Sequence, residues 1–158
     1  MYRKRFEIRW SDVDANKHLA NSAYTNFMSD TRMAAFQEIG LTFKALAKHD
    51  LSPVVFYEHT YYFKEALGEE VYVSLELSGL SEDGMFFSFN HNFYDKEGKN
   101  LAYSEMLGAW MDFKDRKLIP LPEEFLRDFD DLPRTENFRV LTKEDTRRYG
   151  KKPIDISL

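Results

Sequence analysis

At 158 residues, with 43% apolar and 16% aromatic side chains, the chain suits one domain with a sizeable core and is not a disordered segment. A net charge of -5 argues against a phosphate-backbone binder, and the absence of cysteine removes disulfides, thiolate catalysis and cysteine-ligated zinc. The N-terminus MYRKRFEIRW lacks an apolar signal core and no apolar run approaches about 18 residues, so the expected setting is cytoplasmic, with no membrane partner.

Tyr2, Phe6, Ile8 and Trp10 alternate with Arg3, Arg5, Glu7 and Arg9, the pattern of a half-buried strand. A turn carrying Asp12, Asp14 and His18 follows. Tyr24, Phe27, Met28, Thr31 and Ala35 then recur at spacings of three and four, which predicts a long helix with one buried face. Asn21 or Ser22 is the expected N-cap and Gly40 the stop, giving about 28 Å at about 1.5 Å per residue. A short helical piece is expected over Phe43 to His49. Four strands are expected over Pro53–Lys64, Glu70–Ser78, Met85–Tyr94 and Asn100–Lys114. Asp83-Gly84 and Glu97-Gly98 supply turn residues between the later strands, so these pair antiparallel. Pro122 to Leu132 reads as a second short helix. The domain is expected over residues 1–132. The polar segment 133–158 is expected as an extension crossing the surface or reaching a neighbouring subunit.

This order makes an α+β protein in which one helix covers one face of a bent, five-stranded antiparallel sheet. Leu101, Tyr103, Leu107, Ala109, Met111 and Phe113 share one parity of the last strand and are expected to face the helix. Met106, Trp110 and Tyr72 then fall on the outer face. A long open edge invites a second copy, so a homodimer or homotetramer is expected.

The order resembles the hotdog fold. Asp14-Ala-Asn-Lys-His18-Leu-Ala-Asn21-Ser-Ala-Tyr24 is similar to the signature of the 4-hydroxybenzoyl-CoA thioesterase-like acyl-CoA thioesterases. In that family an aspartate precedes a turn, commonly Gly-His-Val-Asn-Asn, and a tyrosine sits in the first helical turn. Asp30 and Arg32 match an acidic-x-Arg element further on, and Arg116-Lys-Leu-Ile-Pro120-Leu-Pro122 resembles the family's exit from its last strand. Lys17 replaces the usual glycine and Ala20 the first of the paired asparagines. The resemblance implies hydrolysis of an acyl-CoA thioester to acid and CoA, with the site at a subunit interface and no cofactor beyond the CoA of the substrate.

The residues support that chemistry directly. Asp14 can serve as general base on water or as a nucleophile forming a mixed anhydride. The N–H near Asn21, at a helix start, is the candidate oxyanion donor. His18 is expected to orient substrate or water, or to hydrogen-bond the turn. Tyr24 is a candidate substrate contact that also falls on the core stripe. Asp12 reads as a turn former, and Asp30 with Arg32 as a surface or inter-helix ion pair. Glu105 shares the parity of Tyr103 and Leu107, so it is either an acid supporting the site or the partner of a cation across a subunit contact. His91 and His59 read as satisfied structural histidines.

Metal is not expected, because the four histidines show no paired-ligand spacing. No nucleophile elbow or phosphate-binding glycine loop occurs, and basic residues interleave with acids, so no nucleic-acid partner is expected. Two readings stay open beside the enzyme: a non-catalytic acyl-CoA-binding module and an acyl-carrier-protein thioesterase. A hotdog dehydratase would pair a histidine with an acid on a different turn, for which no match is found.

Overall fold

In the computed structural model, which describes residues 1–157, the alternating N-terminus forms β1, Tyr2–Glu7, and stops short of Trp10. Asp12 Oδ2 accepts the Arg9 N–H at 2.9 Å, and the Asp12 N–H returns to the Arg9 carbonyl. These bonds wind Trp10–Asp12 into a 3₁₀ turn, which leaves Trp10 93% exposed instead of buried on the strand.

The long helix α1 spans Asn21–Glu38, about 27 Å of chain at ~1.5 Å per residue. A short α2, Phe43–Lys48, is capped by Thr42, whose hydroxyl accepts the Ala45 N–H. The strands β2 (Leu51–Tyr62), β3 (Glu70–Leu80), β4 (Phe86–Tyr94) and β5 (Asn100–Asp112) follow, and α3 occupies Glu123–Asp128. Gly84 and Gly98 adopt positive φ in the two turns that join β3 to β4 and β4 to β5.

The antiparallel order is β1-β3-β4-β5-β2, with α1 lying against one face. Tyr24 packs on Phe93 near the start of α1, and Phe36 packs on Phe87, Phe89 and Trp110 near its end. A sixth strand, β6 (Arg134–Val140), lies in the segment expected to be a polar extension and runs parallel to β3. It takes the part of β3 from Leu77 to Leu80, while β1 takes Glu70 to Leu75 on the same side.

The last strand is turned over relative to the expectation. Phe87, Phe89 and Phe93 face α1, and their partners across the ladder are Gly108, Met106 and Ala102. Met106 and Trp110 therefore lie in the core beside the helix, at 1% and 0% exposure. Leu107 and Ala109 face the other side, where they pack with Phe86 and Leu141. The reason is two-sided burial: a strand covered on both faces reads as nearly continuous apolar sequence, so alternation cannot give its phase. Gly108 is required by this arrangement, because a Cβ there would lie 2.8 Å from the Phe87 ring.

β2 forms the free edge of the sheet. Val55, Phe56, Tyr61, Tyr62 and the adjoining Phe63 are all exposed there. No helix among the described residues is long and apolar enough to cross a membrane.

Candidate active site

The loop from Asp12 to Asn21 is a tight, double-backed turn. The Asp14 N–H donates to the His18 carbonyl at 2.9 Å, and Val13 bridges Leu19. The Ala20 N–H donates to the Asp12 carbonyl at 2.8 Å. Leu19 is buried and its N–H reaches the Ala66 carbonyl, which seats the loop on the sheet. Lys17 stands where the resembling family turn has glycine and adopts φ 64°, in the left-handed region. That conformation carries strain for a residue with a Cβ, which the surrounding hydrogen bonds must offset.

Asp14 Oδ1 accepts the N–H of Asn16 at 2.8 Å and that of His18 at 3.2 Å. One carboxylate oxygen is thus fixed by the turn, while Oδ2 has no hydrogen-bond partner among the described residues. The side chain is exposed in the single chain. His18 is half-buried, with Nε2 3.5 Å from Glu65 Oε1. Asp12 serves the 3₁₀ turn, as expected of a turn former.

The N-cap of α1 is Ala20, not Asn21 or Ser22. Its extended backbone, φ -64° and ψ 147°, starts the helix, and an alanine side chain cannot accept a hydrogen bond there. The Ala23 N–H turns back to the Ala20 carbonyl, but the Asn21 and Ser22 amides have no partner among the described residues. Two free donors and the positive end of an 18-residue helix therefore sit next to the Asp14 turn. Tyr24, one turn in, is 3% exposed, and its ring packs on Phe93 and edge-on against Tyr62. Burial pushes its hydroxyl up to about 12, so it stays protonated. Its ring is a core element, and the structure supplies it no further role.

Glu105 lies on the outer face, because β5 is turned over. Its carboxylate takes the Tyr149 hydroxyl, lies 3.3 Å from Arg148 and 3.8 Å from His59 Nδ1. The expected cation partner is present, but it comes from the chain's own C-terminal segment, and Glu105 stands apart from the Asp14 turn on the other side of the sheet.

Arg32 is the clearest departure from expectation. It is 6% exposed and pairs with Glu58 on β2 at 2.9 Å, not with Asp30. It also touches His91 Nε2 at 3.4 Å and donates to the Ser29 hydroxyl. The Arg32–Glu58 contact is close but not aligned as a hydrogen bond. His91 is fully buried, and its Nδ1–H must donate to the Ser74 carbonyl at 2.8 Å, since a carbonyl can only accept. Burial, with the Arg32 charge adding to it, lowers the imidazole to about 3, so it is neutral. A signal for this cluster was available. Tyr24, Met28, Arg32 and Phe36 fall four apart, so the arginine sits in the middle of the buried row.

These features define a hotdog protein: one helix against an antiparallel sheet, opened by a carboxylate-bearing turn. The pattern of the thioesterase-like superfamily matches residues 8–129, and the chain belongs to that superfamily. Three solved structures share the fold. The 1,4-dihydroxy-2-naphthoyl-CoA thioesterase Slr0204 of Synechocystis is 15% identical, with a TM-score of 0.72 over 83% of this chain and 96% of that one. YbaW, a probable thioesterase of Escherichia coli, is 19% identical, with a TM-score of 0.69 over 82% and 97%. The hypothetical protein SAV2348 of Staphylococcus aureus, solved in complex with CoA, is 20% identical, with a TM-score of 0.75 over 98% and 94%. No curated protein matches the sequence.

Proposed function

We propose that this chain is an acyl-CoA thioesterase in which Asp14 and the amides opening α1 act on one thioester carbonyl. The observation that carries the reading is the half-satisfied Asp14 carboxylate beside two unpartnered helix amides. Superfamily membership supports thioester hydrolysis in general, and the CoA complex of SAV2348 supports CoA as the carrier.

In the general-base route, Asp14 Oδ2 takes a proton from water and the hydroxide adds to the thioester carbon. The oxyanion is held by the Asn21 N–H, a contact worth roughly 10²-fold in rate. Collapse breaks the C–S bond, and the CoA thiolate leaves and takes up a proton. In the nucleophilic route Asp14 attacks the carbon itself, and water then cleaves the mixed anhydride. His18, held by Glu65, orients the substrate or the water beside them.

The same reading makes the protein a homo-oligomer. Asp14 and Asn21 are exposed in one chain, which leaves an acyl group without walls. The free β2 edge ends at Tyr62, edge-on to Tyr24 in the first turn of α1. A second copy pairing along β2 would bring its surface beside that turn.

The test is a free-thiol assay on a panel of short, long and aromatic acyl-CoAs. Thiol release with turnover supports the enzyme. Acyl-CoA that binds and persists unhydrolysed replaces it with a binding module, and release only from carrier-protein thioesters changes the substrate class.

A further inference from the structure

Outside the Asp14 turn, several cations gather around one cavity on the outer face of the sheet. A cavity of about 520 Å³ lies on the outer face of the sheet, under the segment 143–153. Its floor is aromatic, made of Phe56 and Tyr57 from β2 and Phe86 from β4, with the Phe56 and Phe86 rings tilted 42° to each other. Around it stand Lys143, Arg147, Lys151 and Lys152, and no carboxylate lines it. Arg139 and Arg148, on the same stretch of chain, are each held by a carboxylate, Asp145 and Glu105. The four cations at the cavity make no ion pair among the described residues.

The segment that carries these cations is fixed in place. The Tyr149 ring packs edge-on against Tyr57 and His59, and its hydroxyl binds Glu105. Leu141 is buried on the sheet, and the Thr146 hydroxyl donates to the Lys143 carbonyl. The Gly150 N–H donates to the Arg147 carbonyl, turning the chain so that Lys151 and Lys152 face back across the cavity.

Four unpaired like charges around one aromatic floor repel one another unless an anion joins them. One carboxylate would need fewer donors, whereas a chain of phosphates uses several at once. A ring floor adds a surface on which a planar base can stack. The concave shape and the overall charge of -5 disfavour an extended polyanion such as a nucleic acid.

We propose that the C-terminal segment and the outer face of the sheet form a binding site for a phosphorylated nucleotide, with its base on the aromatic floor and its phosphates among the four cations. Two sources share this chemistry: a free nucleotide such as ADP, or the nucleotide end of CoA. Only the second rests on the thioesterase reading.

The experiment is calorimetric titration of the full chain with ADP, CoA and pyrophosphate, for the wild type and for Lys151→Glu/Lys152→Glu. Both lysines are exposed, so the double variant is expected to fold, which circular dichroism checks. The expected result is ADP binding that is at least about tenfold tighter than pyrophosphate and at least about tenfold weaker in the variant. A raised KM for acyl-CoA with unchanged turnover of an acyl-pantetheine assigns the site to CoA. Unchanged KM for both, with ADP affinity lost, assigns it to a free nucleotide. Equal ADP affinity in the two proteins, or pyrophosphate binding as tightly as ADP, overturns the proposal. If the wild type hydrolyses no thioester, the thioesterase reading falls and the ADP titration still decides this one.

Discussion

Toward α1 the sheet presents Phe87, Phe89, Met106 and Trp110, whereas its opposite face presents Tyr57, Tyr103 and Glu105 to the returning C-terminal segment. The first face is closed mainly by apolar packing, with a single buried cluster around Arg32. The second is closed by a small apolar cluster around Leu107, Ala109, Phe86 and Leu141 and by a network of tyrosines, arginines and the carboxylates of Glu105 and Asp145, half open to water. The difference follows from order along the chain. The helix is adjacent to the strands it covers and carries a regular stripe, while the tail arrives late, with charged residues that need partners. Apolar burial on the first face supplies stability, and the looser second face leaves room for cavities.

Truncation at the centre of the helix face should break the comparison most severely. Phe36→Ala removes a ring packed on Phe87, Phe89, Trp110 and Phe129, and should cost about 3–5 kcal/mol in urea unfolding. Removing one partner of the buried pair should come close to it. Arg32→Met leaves Glu58 under the helix without its cation, at a cost of about 3–5 kcal/mol, and Arg32→Met with Glu58→Met should recover most of that loss.

A third effect is a pH dependence arising from the helix face. His91 titrates near 6.5 when unfolded and near 3 when folded, so the unfolded chain binds the extra proton between those values. Its contribution is complete above about pH 6.5 and declines as pH falls toward 3, by at most ~1.4 kcal/mol per unit. Denaturant titrations between about pH 7 and 5, above most carboxylate titration, should show the slope, and His91→Asn should flatten it. The smallest effect belongs to the outer face. Arg148→Ala breaks a pair that is half exposed on the arginine side, and should lower unfolding free energy by less than about 1 kcal/mol.

Legibility in the sequence followed the same division. The helix stripe, the glycine turns and the strand order could be read because each depends on local periodicity or on φ > 0. The start of α1 was misplaced by one or two residues, since an extended alanine caps it and no side-chain oxygen marks the position. The phase of β5 was unreadable because a distant segment buries its second face, and β6 was invisible because its residues are mostly charged or polar. In the candidate site, the aspartate turn stood out by its neighbours, and its hydrogen bonds fit the role proposed for it. Arg32 was assigned to a surface or inter-helix pair with Asp30, although its four-residue spacing placed it among core side chains, where it pairs with Glu58. A charged residue on a buried row is easily assigned by its type instead of its position.

The claim on which the functional account depends concerns a single carboxylate. Asp14→Asn keeps an oxygen that can accept the Asn16 and His18 N–H bonds, so the turn should survive while proton transfer and nucleophilic attack are lost. Measured on the acyl-CoA that the wild type turns over best, kcat should fall by at least about 10²-fold with unfolding free energy and size in solution unchanged. An asparagine variant that hydrolyses thioesters at the wild-type rate would contradict the account.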